Sequence, residues 1–138
     1  MDKPLSTIDA KQYSPLALAF LGDSVYEIMV REHVLLSANM PASKLHSLKI
    51  KRVCAAYQAA AIDLIMPELT EEEVTIYKRG RNATGNSVPK NGNAADYHKA
   101  TGFESLFGYL HLIGEKQRLQ TLFDIIVQAD EKLLSKEC

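Results

Sequence analysis

From Ser14 to Leu36 the chain reads SPLALAFLGDSVYEIMVREHVLL, a run that is apolar on most faces of a helix and interrupted near its middle by Gly22-Asp23. Ser14 followed by Pro15 is the pattern of an N-cap with proline at the first helical position, so a helix is expected from there to about Leu36. A helix that is apolar nearly all round has to be buried, and burial needs neighbours to cover it. No stretch of the chain alternates with period two, so those neighbours are themselves helices and the expected class is all-α. In 138 residues there is room for one domain with a sizeable core and not for a second folded module.

The remaining helices are marked by their breakers and caps. Asn39-Met40-Pro41 ends the first run, and a second helix is expected from about Ser43 to Ile65, with Leu45, Leu48, Val53, Tyr57 and Ile62 inward and Pro67 closing it. Thr70, with Glu73 three residues on, is a capping box that starts a third helix running to about Arg81. Residues 82–95, NATGNSVPKNGNAA, read as a long loop, a kind that in compact domains is often functional. Asp96 is expected to cap a fourth helix that Gly114 stops, and a last amphipathic helix covers about Gln117 to Leu134. The first dozen residues are expected to be flexible.

Composition excludes some functions. With 46% hydrophobic and 24% charged residues, the chain has the balance of a soluble globular protein, and no apolar run approaches the roughly 20 residues of a membrane span. The start, MDKPLSTIDAKQ, lacks the apolar core of a signal peptide, so cytoplasmic residence is expected. Cys54 and Cys138 share no zinc-type or redox spacing with each other or with His33, His46, His98 and His111, and are expected to be reduced and idle. Gly80 to Ser87 has the glycine spacing of a phosphate-binding loop, but Asn86 stands where the lysine belongs and no strand precedes it.

A net charge of -1 argues against an anionic partner until its distribution is examined. Between His33 and Ile62 there is no acid but four bases, Lys44, Lys49, Lys51 and Arg52. Between Val74 and Ala95 there is again no acid, but Lys78, Arg79, Arg81 and Lys90. Segregation of this kind suits an anionic ligand, although two solvated surfaces would read the same way.

Two acids carry the chemistry. Asp23 sits in the apolar run, where an unpaired ionised group would cost several kcal/mol unless compensated. Glu104 repeats the oddity within KATGFESLFGYLHL. Gly22 lies beside the first, and Gly102 and Gly108 flank the second. Each glycine costs about 1 kcal/mol inside a helix and is tolerated chiefly where two helices approach closely. If the helices cross there, Asp23 and Glu104 converge, and two buried carboxylates at one point suggest a hard divalent cation. Glu27, one turn after Asp23, is a possible third ligand; pairing with Arg31 at i+4 is the competing reading.

FLGDSV at 20–25, inside LALAFLGDSVYEIMV, resembles the signature helix of the ribonuclease III family, and FESLFGYLHL at 103–112 resembles its second acidic helix. LHSLKIKRVCAAYQA at 45–59 fits the helix between them. The resemblance spans nearly the whole chain and implies the all-α ribonuclease III endonuclease-domain fold. It also implies a homodimer whose two sites each cut one strand of double-stranded RNA, leaving 5′-phosphate and 3′-hydroxyl ends. Asp23 and Glu104 would be its catalytic and metal-binding residues, with Mg2+ as cofactor and Mn2+ able to substitute.

The departures from the family pattern are informative too. Most family members carry acids where this chain has Leu16, Ala19 and Thr101, and another before the middle helix. The chain also has no double-stranded-RNA-binding domain, which likens it to the short bacterial Mini-ribonuclease III branch, whose role is to mature the ends of 23S ribosomal RNA precursor. RNA binding is then expected from the loop region, with Lys78, Arg79, Arg81 and Lys90 on phosphates and Asn82, Asn86 and Asn91 on sugars. Ribosomal proteins that shape the substrate are a partner class left open. The alternatives are an RNA-binding ribosome-assembly factor whose catalysis is weakened by the missing acids, and a helical protein-interaction module with no RNA ligand.

Overall fold

Ser14 accepts a hydrogen bond from the Ala17 amide at 3.1 Å, Pro15 takes the first helical position, and the helix they open, α2, runs Pro15–Ser37. It lies within a computed structural model that describes residues 3–83, 92–135 and 138. Every element among those residues is helical. Around α2 stand α1 (Thr7–Lys11), α3 (Ala42–Val53), α4 (Ala55–Ile65), a 3₁₀ turn at Met66–Glu68, α5 (Glu71–Arg81), α6 (Ala94–Leu112), α7 (Lys116–Gln128) and α8 (Asp130–Leu134). The all-α expectation therefore holds, and no helix among the described residues is long and apolar enough to cross a membrane.

The core is built on α2 and α6, which make the most extensive contact in the molecule. Tyr26 of α2 meets Phe103 and Phe107 of α6 edge-on, with ring centroids 4.9 and 5.7 Å apart, and Phe123 of α7 closes the cluster at 6.3 Å. Helix α5 begins at the expected capping box: the Glu73 amide donates to Thr70 Oγ1 at 3.1 Å and the Thr70 amide to Glu73 Oε1 at 2.9 Å. Glu73 also receives Arg118 at 2.8 and 2.9 Å, which fastens α7 to the start of α5.

Five expectations are corrected. The single helix expected over 43–65 is two, because Cys54 adopts an extended backbone (φ -71°, ψ 159°) between α3 and α4. A break leaves the last carbonyls of α3 without helical partners. Tertiary donors take them: Tyr26 Oη donates to the Arg52 carbonyl at 2.6 Å and Gln58 Nε2 to that of Val53 at 2.9 Å. The last helix likewise divides at Ala129 into α7 and α8. Asp130 of α8 then receives Arg52 at 2.7 and 3.1 Å and the Tyr57 hydroxyl at 2.6 Å.

Helix α6 starts at Ala94 because Asn93, not Asp96, is the cap, its side chain accepting from the Asp96 amide at 3.2 Å. The expected flexible start is partly built in. Ser6 caps α1, Ala10 is fully buried, and the Leu5 amide donates to the Leu112 carbonyl at 2.7 Å. Finally, the cysteines are not a reduced pair: Cys54 and Cys138 form a disulfide across 84 positions. Spacing rules missed it because the pairing is tertiary.

Candidate active site

The glycines position the site. A Cβ on Gly22 would run into the Glu104 carbonyl, and a Cβ on Gly108 into the Leu18 carbonyl, so only glycine at both positions lets the α2 and α6 backbones touch. That contact sets Asp23 beside Glu104, and the two carboxyl groups share a hydrogen bond. Gly102 does not join the crossing; it packs against Tyr77 of α5 instead.

The two acids differ in setting. Asp23 is exposed, whereas Glu104 is partly buried, which corrects the picture of two buried carboxylates. Burial first, and then the charge and hydrogen bond of Asp23, push the Glu104 carboxyl up to about 8, while a hydrogen bond with Gln58 pulls it down. Among the described residues, neither carboxylate forms an ion pair with a lysine or arginine. Among those residues, the charge that such a pair of acids needs is therefore not supplied by a basic side chain.

Glu27 lies apart. It receives Arg31 Nε at 3.0 Å and Lys49 Nζ at 3.6 Å, the i+4 pairing that was the competing reading. The positions where the family has further acids hold Ala19 and Thr101, both buried, and half-buried Leu16. Among the described residues no group of three or more His, Cys, Asp and Glu side chains could hold a metal ion. What Asp23 and Glu104 provide is an all-oxygen half-site, doubly anionic once Glu104 gives up its proton, the donor chemistry of Mg2+ or Mn2+, with the remaining positions open to water or phosphate.

Lys78 and Arg79 are exposed at the end of α5. Arg81 lies over the Tyr77 ring at 5.6 Å and donates to Asn82 Oδ1 at 3.2 Å. Lys90, Asn86 and Asn91 fall outside the described residues. The other basic stretch is partly neutralised, since Lys49 pairs with Glu27 and Arg52 with Asp130.

One polar residue that the sequence analysis did not single out stands against the acids. Gln58 of α4 is only 3% exposed, and it touches Glu104. The signal was present: a lone amide inside AAYQAAAI has no reason to be buried unless it has partners.

Comparison with known proteins gives the family. Residues 16–115 match the Ribonuclease III domain. A Mini-ribonuclease 3 from Clostridium tetani is 40% identical over 131 residues, covering 94% of this chain and 86% of that protein. One from Symbiobacterium thermophilum is 46% identical over 105 residues, 76% of this chain and 81% of that one. Among solved structures, protein FN1578 from Fusobacterium nucleatum superposes with a TM-score of 0.80 at 28% identity, over 88% of this chain and 98% of that one. A shared fold, a glycine crossing that joins two acids, and relatives spanning most of both chains place the protein: it belongs to the ribonuclease III family of endoribonucleases, in the Mini-ribonuclease 3 branch.

Proposed function

We propose that this chain is a Mg2+-dependent endoribonuclease that cleaves double-stranded RNA as a homodimer and matures the ends of 23S ribosomal RNA precursor. The observation that carries the reading is the meeting of Asp23 and Glu104 where α2 and α6 cross, with no ion pair to a lysine or arginine among the described residues. A divalent ion held there would lower the pKa of a coordinated water and offset charge on the phosphodiester under attack. Asp23 and Glu104 would hold it, with Mn2+ able to replace Mg2+. The half-buried setting of Glu104 limits water around it, which strengthens its electrostatic contribution.

The RNA would be gripped through phosphates by Lys78, Arg79 and Arg81, with Asn82 on sugars, and by Lys90 and Asn91 further along the chain. Exposed Lys78 and Arg79 support this part of the reading, because double-stranded RNA is recognised largely by shape and by phosphate and 2′-hydroxyl contacts.

Support for a dimer comes from α2. Phe20, Ile28 and Leu35 lie 84, 63 and 58% exposed along one stripe, with Leu36 beside them at 76%. A groove of about 440 Å³ lined by Leu21, Val25, Ile28, Met29 and Leu119 adjoins it. Apolar surface of this extent usually marks an interface, and a twofold contact between copies would cover it.

The test is substrate choice. The protein with Mg2+ is incubated with a 23S precursor stem, an unrelated duplex and a single strand, while its mass is read by sedimentation. Cleavage of the precursor stem in preference to the other two, by a dimer, is expected. Binding of the duplex without cleavage would favour the ribosome-assembly alternative, which the sparse acids of this site keep in view.

A further inference from the structure

Gln58 has more hydrogen-bonding capacity than its surroundings use. Its Nε2 donates to the Val53 carbonyl at 2.9 Å, closing the end of α3, and its amide meets the Glu104 carboxyl. Its Oε1 is buried and has no donor among the described residues, the one such side-chain atom found there. An amide oxygen accepts and cannot donate, so it needs an N–H or O–H. The one proton that Glu104 keeps without an ion is taken by its hydrogen bond with Asp23, and with an ion bound both groups are carboxylates that only accept. Buried polar atoms left without partners are rare enough in folded proteins that each calls for an explanation, an ion or its water among them.

We propose that Gln58 is a positioning residue of the cation site, its Oε1 accepting a hydrogen bond from a water bound to the ion that Asp23 and Glu104 hold, and its amide fixing the Glu104 carboxyl toward Asp23. The inference rests on the reading of Asp23 and Glu104 as a cation site. Helix α4 suits the role because it starts at the break from α3 at Cys54 and carries a glutamine, four residues on, that meets Glu104. Outer partners of this kind orient ligands, and their loss typically weakens metal affinity about 10- to 100-fold.

A purely structural Gln58 would act through its donor, as the cap of Val53. Two variants separate the roles: Gln58→Met removes donor and oxygen alike, and Gln58→Glu removes the donor but keeps an oxygen. Mn2+ binding to the protein without RNA is measured by the electron paramagnetic resonance of free Mn2+, with thermal unfolding alongside. Both variants should lose similar stability, while Mn2+ affinity falls about tenfold in Gln58→Met and is kept or strengthened in Gln58→Glu. Equal weakening in both, or no weakening in Gln58→Met, would overturn the proposal.

Should the variants fail to fold, the wild type still decides. The Gln58 side-chain amide resonances should shift on titration with Mg2+, and fixed resonances would overturn the assignment. Asp23→Asn serves as the control. If it binds Mn2+ as the wild type does, the cation site itself is wrong and this inference falls with it. If it loses Mn2+ while Gln58→Met does not, only the role of Gln58 is wrong.

Discussion

Replacing Glu104 by glutamine should make the ion-free protein more stable at alkaline pH and leave it unchanged in acid. Burial and the charge of Asp23 raise the Glu104 carboxyl from its ordinary 4.5 to about 8 in the fold. Between those values the native state keeps a proton that the unfolded chain has released, so stability falls as pH rises through the window. Below about 4.5 both states are protonated and nothing is lost; above about 8 both are ionised and the whole penalty applies. At about 1.4 kcal/mol per pK unit the ceiling is about 5 kcal/mol. Because Asp23 is exposed and Glu104 only partly buried, screening by water reduces the expected penalty to about 2–3 kcal/mol. Glutamine mimics the protonated acid, so urea unfolding with chelator present should coincide for the two proteins at pH 5 and separate by that amount at pH 9. Other carboxylates titrate equally in both and cancel. Saturating Mg2+ should close the gap by stabilising the wild type alone. Parallel curves from pH 5 to pH 9 would refute the reasoning.

Gly22→Ala should cost about 3 kcal/mol or more, because its methyl meets the Glu104 backbone and not a flexible side chain; thermal melting reads it, and an unchanged midpoint would deny the close crossing. Reducing the Cys54–Cys138 disulfide, which closes a separation of 84 residues, should lower stability by up to about 4 kcal/mol, measured by urea unfolding with and without reductant. Replacing Arg79, Arg81 and Lys90 together by alanine should weaken duplex binding about tenfold for all sequences alike and flatten its dependence on salt, since phosphate contacts carry the electrostatics and little sequence information. Unchanged slope and affinity would place the grip elsewhere.

What was legible in the sequence was local. Ser14-Pro15 and the Thr70–Glu73 box predict helix starts because the capping atoms lie within three residues of each other. The meeting of Asp23 and Glu104 was legible for a different reason: a glycine in a buried helix has few uses besides close approach. The break at Cys54 was not, because Tyr26, which satisfies the Arg52 carbonyl there, is 26 positions away and no glycine or proline marks the spot. Asn93 was not legible as the cap of α6, because the sequence marks an acid at Asp96 while the extended backbone at Asn93 is what starts the helix at Ala94. Burial was harder still. An acid in an apolar helix looks buried, yet Asp23, about one turn after exposed Phe20, is itself exposed. Glu27 could be read two ways, and it is Lys49, from α3, that adds to its pairing with Arg31.

On the proposed reading, Asp23 and Glu104 together hold the ion on which cleavage depends. The most direct measurement is the initial rate of cutting of one end-labelled RNA duplex against Mg2+ concentration, for the wild type, Asp23→Asn and Glu104→Gln, with duplex affinity determined in parallel. The wild-type rate should rise with Mg2+ and saturate, while both variants bind the duplex as tightly and cut it at least about 100-fold more slowly at every Mg2+ concentration. Cutting by either variant at the wild-type rate, or by the wild type at full rate in chelator, would contradict the account.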